Sequence, residues 1–240
     1  MNNALYMDDC YLKEFEATVE SVKDNKYVIL DKTAFYPLGG GVSYDTGVLI
    51  KNDGANGNEE FPIIYVGKFD GKISHEISKQ GLKAGDKIIG KINWERRYKL
   101  MRLHTTAHLL AAVFNTKGKA LITGGQMEPE KSRMDFSLED FDRAKIDDFF
   151  KLANGLVKTD APVKISYMER EEALKIPDMV KLANKMPPDV ETLRIVEIEG
   201  IDRQADGGCH VKSLKEIGTI ELLGLENKGK SNRRVYFDVK

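Results

Sequence analysis

Apolar and polar residues alternate along the first third of the chain. Residues 15–19 place Phe, Ala and Val at every second position, and the segment Lys26-Tyr-Val-Ile-Leu follows a polar turn. Two such segments around a turn are typical of a β-hairpin. Further segments of strand length lie at 47–50, 61–66 and 86–93, with a turn expected at 54–58. Short strands separated by polar turns predict a small barrel or sandwich that ends near residue 93.

The pattern changes to a helical period at Trp94. Residues 94–115 contain no Gly or Pro, and their apolar side chains recur at helical spacing before Gly118 ends the segment. This pattern predicts a helix. A second helix is predicted at 138–157, and a short one begins at Glu169.

The last third of the chain returns to strand-like segments. They lie at 162–168, 192–198, 218–223 and 234–239. Helices followed by a run of strands favour an α+β fold. We therefore expect an N-terminal small β-barrel domain at 1–93 and a C-terminal α+β domain at 94–240, in which helices pack against an antiparallel sheet.

Composition and charge indicate a folded chain that would bind nucleic acid only locally. The 240 residues are 41% hydrophobic and 31% charged, which is unlike a disordered chain. The formal net charge of −1 excludes the overall basic field of non-specific nucleic-acid binders. Local basic clusters remain candidates for RNA contacts. They are Arg96 and Arg97 near the start of the first helix, and Lys228, Lys230, Arg233 and Arg234 near the end of the chain.

The sequence also suggests a location. No apolar run approaches the roughly 20 residues that cross a bilayer, and residues 1–10 lack the features of a signal peptide. We expect a cytoplasmic protein with no membrane partner and no obligate protein partner. Its cysteines, Cys10 and Cys209, are too few for a disulfide framework.

Histidines at helical spacing are the main chemical signal. His104 and His108 stand at i and i+4, so both imidazoles can reach one ion. Thr105 occupies the position that holds the general base in the metalloprotease motif His-Glu-x-x-His. A glycine-containing turn near the C-terminus could bring His210, with either Cys209 or Asp206, to the same ion. His75, by contrast, is expected to lie in a loop.

A glycine run provides a second candidate feature. Gly39, Gly40 and Gly41 follow Phe35-Tyr-Pro-Leu. Consecutive glycines expose backbone N–H groups and permit close approach of a substrate, although the same run also makes a simple wide loop.

Three motifs in this order resemble the alanyl-tRNA editing protein family, free-standing relatives of the editing domain of alanyl-tRNA synthetase. The motifs are Phe-Tyr-Pro-x-Gly-Gly-Gly at 35–41, Leu-His-x-x-x-His-Leu-Leu at 103–110 and Gly-Gly-Cys-His-Val at 207–211. The resemblance runs from about Glu14 to the C-terminus. It implies a β-barrel-like N-terminal domain and a zinc-containing α+β editing domain. It further implies hydrolysis of the ester that joins a wrong amino acid, chiefly serine and in some cases glycine, to alanine tRNA.

The chain departs from the common family pattern at two places. Asp206 stands where the late motif usually has cysteine, and Cys209 stands where it has threonine. Asp206, Cys209 or a water could therefore complete a zinc shell with His104, His108 and His210. Val42 and Ser43 replace a usual Gln-Pro after the glycines, which removes a polar contact and bears on substrate preference.

The resemblance implies roles for the remaining candidates. One zinc ion per chain would activate a water for attack on the ester, or would position the substrate while a free water attacks. N–H groups of Gly39, Gly40 and Gly41 would support the oxyanion, and Thr33 would contact the serine hydroxyl. The six basic residues named above would contact the acceptor stem of tRNA(Ala).

Two other interpretations are retained. In one, the chain is a binding module with a purely structural zinc, which predicts a closed shell of four protein ligands. In the other, it is a metallohydrolase that acts on small aminoacyl esters or amides without RNA.

Overall fold

The computed structural model describes residues 3–52, 57–139, 142–176 and 189–240. Residues 54–56 of the predicted turn and residues 140 and 141 of the predicted second helix lie outside the described residues. The chain forms two compact units, Met1–Tyr98 and Lys99–Lys240. Within the described ranges, none of the helices combines the length and the apolar composition that a membrane crossing requires.

The first unit contains a closed six-stranded barrel. Its strands are β2 (Glu14–Lys23), β3 (Tyr27–Leu30), β5 (Gly47–Asn52), β6 (Asn58–Phe69), β7 (Lys72–Ile77) and β8 (Lys87–Ile92), in the order β2-β3-β7-β6-β5-β8. This unit also contains a short parallel pair, β1 (Asn3–Ala4) and β4 (Lys32–Thr33), and a 3-10 turn at Leu5–Met7. Phe15, Ala17 and Val19 of β2 are all buried, as the alternation predicts.

The prediction that His75 lies in a loop is wrong. His75 is fully buried in β7, where it pairs in register with Val28 of β3 and Val66 of β6. The strand was missed because Lys-Ile-Ser-His-Glu-Ile carries few apolar residues. A polar ring is tolerated there because both of its nitrogens have hydrogen-bond partners.

The second unit is α+β and contains two antiparallel sheets. The four-stranded sheet has the order β14-β15-β10-β9, built from β9 (Ile122–Gln126), β10 (Ser132–Phe136), β14 (Ile220–Asn227) and β15 (Arg233–Val239). The three-stranded sheet has the order β11-β12-β13, built from β11 (Val163–Glu169), β12 (Thr192–Ile198) and β13 (Asp202–Ala205). Among the described residues, this unit also contains the helices α2 (Arg143–Val157) and α3 (Arg170–Leu174), a 3-10 turn at Leu214–Ile217 and most of the long helix α1 (Trp94–Gly118).

The long helix α1 (Trp94–Gly118) begins in the last residues of the first unit and forms the core of the second. Every residue from Leu100 to Phe114 is buried except Arg102, as expected for a helix that is covered on all sides. Phe114 stacks on Phe136 of β10 with 4.0 Å between ring centroids. Arg102 donates to the carbonyl of Ile217 at 2.6 Å, which ties the helix to the 3-10 turn.

Helix α2 begins later than predicted. Leu138 is not helical, and the helix begins at Arg143 because the side chain of Asp142 accepts hydrogen bonds from the N–H groups of Ala144 and Lys145. An aspartate in this position satisfies N–H groups that have no partner within the helix.

Candidate metal centre

Helix α1 and the segment after β13 bring the three predicted histidine ligands together. His104 and His108 lie one turn apart on the helix, with 5.1 Å between ring centroids. The ring of His210 lies 4.2 Å from that of His104 and 4.7 Å from that of His108. All three side chains are buried.

Asp206 offers a fourth atom that could bind the same ion. Its Oδ2 lies 3.0 Å from Nε2 of His210, and its Oδ1 lies 3.7 Å from Nε2 of His104. One ligand atom from each of these four residues lies within 4.8 Å of the others. Cys209 is buried, but among the described residues its sulfur does not join this group. Three imidazoles and one carboxylate form a donor set that suits zinc.

The electrostatics of the cluster also fit a metal ion. Burial lowers the pKa of His104 well below its ordinary value and lowers the pKa of His210 to about 4, so both rings are neutral near pH 7. Burial tends to raise the pKa of Asp206, but the neighbouring histidines, His104 above all, hold that pKa well below its usual range. Neutral imidazole and ionised carboxylate are the forms that bind metal ions.

Two of the histidines are oriented through their second ring nitrogen. Nδ1 of His210 lies 3.1 Å from Oγ1 of Thr105. Because the Thr105 hydroxyl donates to the carbonyl of Met101 at 2.9 Å, it accepts from Nδ1 of His210. Nδ1 of His108 lies 3.1 Å from Oδ2 of Asp202. Each contact places the proton on Nδ1 and turns Nε2 toward the cluster.

Sequence reasoning missed Asp202 and assigned no role to Thr105. A usable signal was present: Asp202, Gln204 and Asp206 stand at alternating positions, so an extended chain directs their side chains to one face. Thr105 is one residue after His104 on α1 and needed the three-dimensional position of His210 to be recognised.

Arg194 of β12 holds the segment that carries Asp206. Its Nη1 donates to the carbonyls of Asp206 and Gly208, both at 2.9 Å. The N–H of Gly208 donates to Oδ2 of Asp206 at 2.6 Å. These bonds fix the turn between the carboxylate and His210.

Gly208 is required by close approach to His104. A Cβ atom at this position would lie 2.3 Å from Cε1 and 2.5 Å from Nδ1 of His104. We expect Gly208→Ala to weaken zinc binding by about 5- to 150-fold, because overpacking costs about 1–3 kcal/mol. Competition with a zinc chelator would measure the change.

A matched control for Gly208→Ala is Gly155→Ala in α2. Gly155 is exposed, and its added Cβ would have no neighbour within 4 Å. This control should leave zinc affinity unchanged and stabilise the helix by about 0.5–1 kcal/mol. Equal zinc affinity in both variants would contradict the steric role of Gly208.

In the first unit, the candidate Thr33 forms a hydrogen-bonded pair with His75. Nδ1 of His75 lies 3.0 Å from the carbonyl of Val28, which can only accept, so Nδ1 carries the proton. Nε2 therefore accepts from the Thr33 hydroxyl at 2.9 Å. Burial lowers the pKa of His75 to about 4, which keeps the ring neutral. The Thr33 oxygen also accepts from the N–H of Phe35 at 3.1 Å.

The glycine run forms a tight exposed turn. Gly39 and Val42 exchange backbone hydrogen bonds at 3.3 and 2.8 Å. Gly40 and Gly41, with φ of 58° and 79°, adopt the left-handed conformation that favours glycine. Val42, which replaces the usual glutamine, is buried. The turn thus exposes glycine backbone while an apolar side chain anchors it.

Comparison with known proteins decides the family. The alanyl-tRNA editing protein AlaX-M of Methanosarcina barkeri is 49% identical, over 99% of this chain and 98% of that protein. The AlaX-M protein of Saccharolobus solfataricus is 49% identical over 100% of both chains. The chain belongs to the alanyl-tRNA editing protein family. The resemblance predicted from the three ordered motifs is confirmed.

Relatives of this editing protein include parts of a larger enzyme. The alanine–tRNA ligase of Methanococcus maripaludis is 39% identical over 89% of this chain, which corresponds to 23% of the ligase. A family model described as tRNA synthetases class II (A) matches residues 5–96. Another, described as Threonyl and Alanyl tRNA synthetase second additional domain, matches residues 193–236.

The basic candidates of this editing protein differ in exposure. Arg97 is buried in the first unit, where it pairs with Asp45 and donates to the carbonyl of Cys10 at 3.0 Å. Arg96, which is only partly buried, donates to the carbonyl of Tyr44 at 2.9 Å. We conclude that Arg97 supports the fold of this unit.

The C-terminal candidates divide in the same way. Arg233 is buried and donates to the carbonyls of Gly229 and Glu139, so it organises the preceding loop. Arg234 makes a two-pronged ion pair with Asp135 at 2.7 and 2.8 Å. Of the C-terminal candidates for RNA contacts, Lys228 and Lys230 are exposed to solvent.

Proposed function

We propose that this chain is a trans-editing deacylase that hydrolyses the ester of mischarged tRNA(Ala). Its main substrate would be seryl-tRNA(Ala), with glycyl-tRNA(Ala) as a second. The observation that carries the proposal is the cluster of His104, His108, Asp206 and His210, whose three histidines are buried. Relatives named alanyl-tRNA editing proteins match the chain along its whole length, which supports the same reaction.

His104, His108, Asp206 and His210 would hold a zinc ion. The ion would supply Lewis-acid chemistry near neutral pH, either to activate a water or to position the substrate while a free water attacks. The chain's own residues would prepare the site. Neutral imidazoles would direct lone pairs at the ion, and the Asp206 carboxylate would offset its charge. Thr105 would keep His210 in the orientation that presents Nε2. No protein nucleophile is required for hydrolysis by water.

Residues of the first unit are proposed to recognise the aminoacyl group. N–H groups of Gly39, Gly40 and Gly41 would support the developing oxyanion. Thr33 would contact the serine hydroxyl. Because Thr33 donates its own proton to His75, it would act as a hydrogen-bond acceptor for that hydroxyl. A substrate whose side chain carries a hydroxyl, such as serine, could donate this hydrogen bond. It would then be preferred over a substrate that has only a hydrogen atom in place of the hydroxyl.

RNA contacts are proposed for the basic residues that are not buried. Arg96, Lys228, Lys230 and Arg234 would contact phosphates of the acceptor stem, whereas the buried guanidinium groups of Arg97 and Arg233 would hold the backbone. With few such contacts, we expect binding to weaken as salt rises, with a shallow dependence.

One observation favours a second candidate function. The cluster contains four protein ligand atoms, as a structural zinc site does, whereas a catalytic site keeps an open position. The chain could then be a zinc-stabilised binding module. This candidate predicts tight zinc binding and RNA binding without turnover.

The deciding experiment measures deacylation of seryl-, glycyl- and alanyl-tRNA(Ala) by the zinc-loaded protein and by the double variant His104→Ala, His108→Ala. We expect rapid loss of the seryl ester, little loss of the alanyl ester, and a double variant at the rate of buffer alone. A seryl ester that survives active, metal-loaded protein would exclude editing.

Two further arms separate the alternatives. Equal turnover of a small seryl ester and of seryl-tRNA(Ala), without salt dependence, would favour a small-ester hydrolase. Tight binding of the RNA by zinc-loaded protein, without cleavage, would favour the binding module.

A further inference from the structure

Asp202 lies directly behind one of the metal-binding histidines. Its Oδ2 is 3.1 Å from Nδ1 of His108, and its side chain is completely buried. The same oxygen accepts from Nε2 of Gln204 at 2.9 Å. A carboxylate oxygen can accept both bonds at once, so Asp202 is held from one side while it holds His108 from the other.

The direction of the first bond follows from its partners. In its carboxylate form Asp202 only accepts, and Nδ1 of His108 then carries the proton. The other ring nitrogen, Nε2, is then left with its lone pair, which is the form that a metal ion requires. Asp202 thus determines the tautomer as well as the orientation of the ring.

The fold delivers this carboxylate by strand register. In β13, Asp202 pairs with Ile198 and Gln204 pairs with Val196 of β12. Asp202 and Gln204 lie two positions apart and so share one face of the strand. Asp206 follows after another two positions and joins the ligand cluster itself. One extended segment therefore supplies both a ligand and the group that orients a different ligand.

His210 is oriented by Thr105, which carries no charge, whereas His108 is oriented by the carboxyl group of Asp202. Thr105 is neutral, and its hydroxyl proton is already donated to the carbonyl of Met101. It can orient the ring of His210 but adds no charge. Asp202 adds a second carboxylate beside Asp206 to a buried site, and hydrogen bonds between imidazole and carboxylate increase the basicity of the ring. Arg194, a basic residue near this site, directs its Nη1 to backbone carbonyls.

We infer that Asp202 is a positioning residue of the metal centre: it holds the proton on Nδ1 of His108, and so turns the Nε2 lone pair toward the ion and strengthens its binding. Gln204 holds Asp202 in the required rotamer. The inference rests on the proposed metal centre, but it concerns affinity for the metal rather than cleavage of the ester.

The test compares zinc affinity in Asp202→Ala, Asp202→Asn and the wild type, by competition with a chromophoric chelator. Loss of a partner that orients a ligand typically weakens metal binding by about 10- to 100-fold, and we expect this for Asp202→Ala. Asp202→Asn keeps an oxygen that can accept from His108 but lacks the charge, so its affinity should be intermediate. The visible spectrum of the Co²⁺-loaded protein should change in Asp202→Ala even at saturating metal.

Asp135→Asn is the matched control, since Asp135 is a buried carboxylate of the same unit that pairs with Arg234. It should retain wild-type zinc affinity and the wild-type Co²⁺ spectrum. A folded Asp202→Ala variant with affinity within about twofold of wild type would overturn the inference. If that variant does not fold, unchanged affinity in the nearly isosteric Asp202→Asn would overturn it.

Failure of this inference can be told apart from failure of the proposed function. A wild type that binds zinc but leaves seryl-tRNA(Ala) intact would refute editing and leave the role of Asp202 standing. A wild type that deacylates the tRNA, with zinc affinity insensitive to residue 202, would refute only the role of Asp202. A wild type that binds no zinc would refute the inference together with the metal centre.

Discussion

Replacing Asp206 by alanine is expected to weaken zinc binding by more than about 100-fold and to reduce deacylation of seryl-tRNA(Ala) to the background rate. Loss of a group that merely orients a ligand costs about 10- to 100-fold in metal affinity, whereas Asp206 is proposed to contribute a ligand atom itself. Its Oδ2 also accepts from the N–H of Gly208, so the substitution loosens the turn that places His210. Zinc content after dialysis against a chelator and single-turnover deacylation would measure both effects.

Two companion variants make this prediction specific. Asp206→Cys places a thiolate where the common family pattern has cysteine, and we expect it to retain zinc. Cys209→Ala should also retain zinc, because the sulfur of Cys209 does not join the ligand cluster among the described residues. Full zinc binding by Asp206→Ala together with loss of zinc from Cys209→Ala would instead identify Cys209 as the ligand.

The histidine cluster could be predicted because local periodicity already determines half of it. Residues at i and i+4 share a helix face wherever that helix packs, so His104 and His108 needed no tertiary information. His210 lies far from His104 and His108 along the chain, so local periodicity does not place it beside them. Only the glycine-containing turn before His210 suggests that the chain can bring it close to the helix. The sequence alone does not decide whether Asp206 or Cys209 joins the three histidines. The two residues are separated by a turn, and the shape of that turn depends on Arg194.

Alternation of apolar and polar residues predicts most strands of the barrel but does not predict β7. This strand shows where alternation fails as a predictor. In β7, a buried polar residue takes the place of an apolar one, and its burial depends on partners from β3 and β4. Such a strand cannot be recognised from its own composition. The same reasoning applies to the start of α2, where the cap Asp142 outweighs the apolar residues before it.

Charge was the weakest guide to function, because a basic residue is equally visible in sequence whether it faces solvent or the core. In the sequence, Arg97 and Arg233 look like RNA contacts just as Lys228 and Lys230 do. In the structure both arginines are buried, and each donates to several carbonyl or carboxylate acceptors. A planar guanidinium with five donors is suited to organising several backbone segments at once, which is how both residues are used here.

Arg97→Met is expected to destabilise the first unit by about 3–5 kcal/mol, since removal of one partner leaves a buried charge uncompensated. Both side chains of the Arg97–Asp45 pair are 1% exposed. Arg97 donates through Nε to Oδ1 of Asp45 at 2.9 Å and through Nη2 to the carbonyl of Ala34 at 2.5 Å. Asp45 also accepts from the N–H of Tyr36 at 2.6 Å, so the pair ties together both ends of the glycine-containing segment. Urea-induced unfolding followed by circular dichroism would measure the loss.

The loss of stability in Arg97→Met should come from the unpaired carboxylate of Asp45 rather than from lost packing of the arginine side chain. A double variant separates these two contributions. Arg97→Met with Asp45→Asn should recover part of the lost stability, because asparagine can still accept from Tyr36 and carries no charge. Arg143→Met, which breaks the exposed pair with Asp147 on α2, should cost less than about 1 kcal/mol and serves as the surface control. If Arg97→Met costs no more than Arg143→Met, the buried pair does not hold this segment. The free energy of unfolding of a whole domain is typically about 5–15 kcal/mol. A loss of about 3–5 kcal/mol in Arg97→Met would therefore leave a substantial fraction of the protein unfolded at moderate urea concentrations.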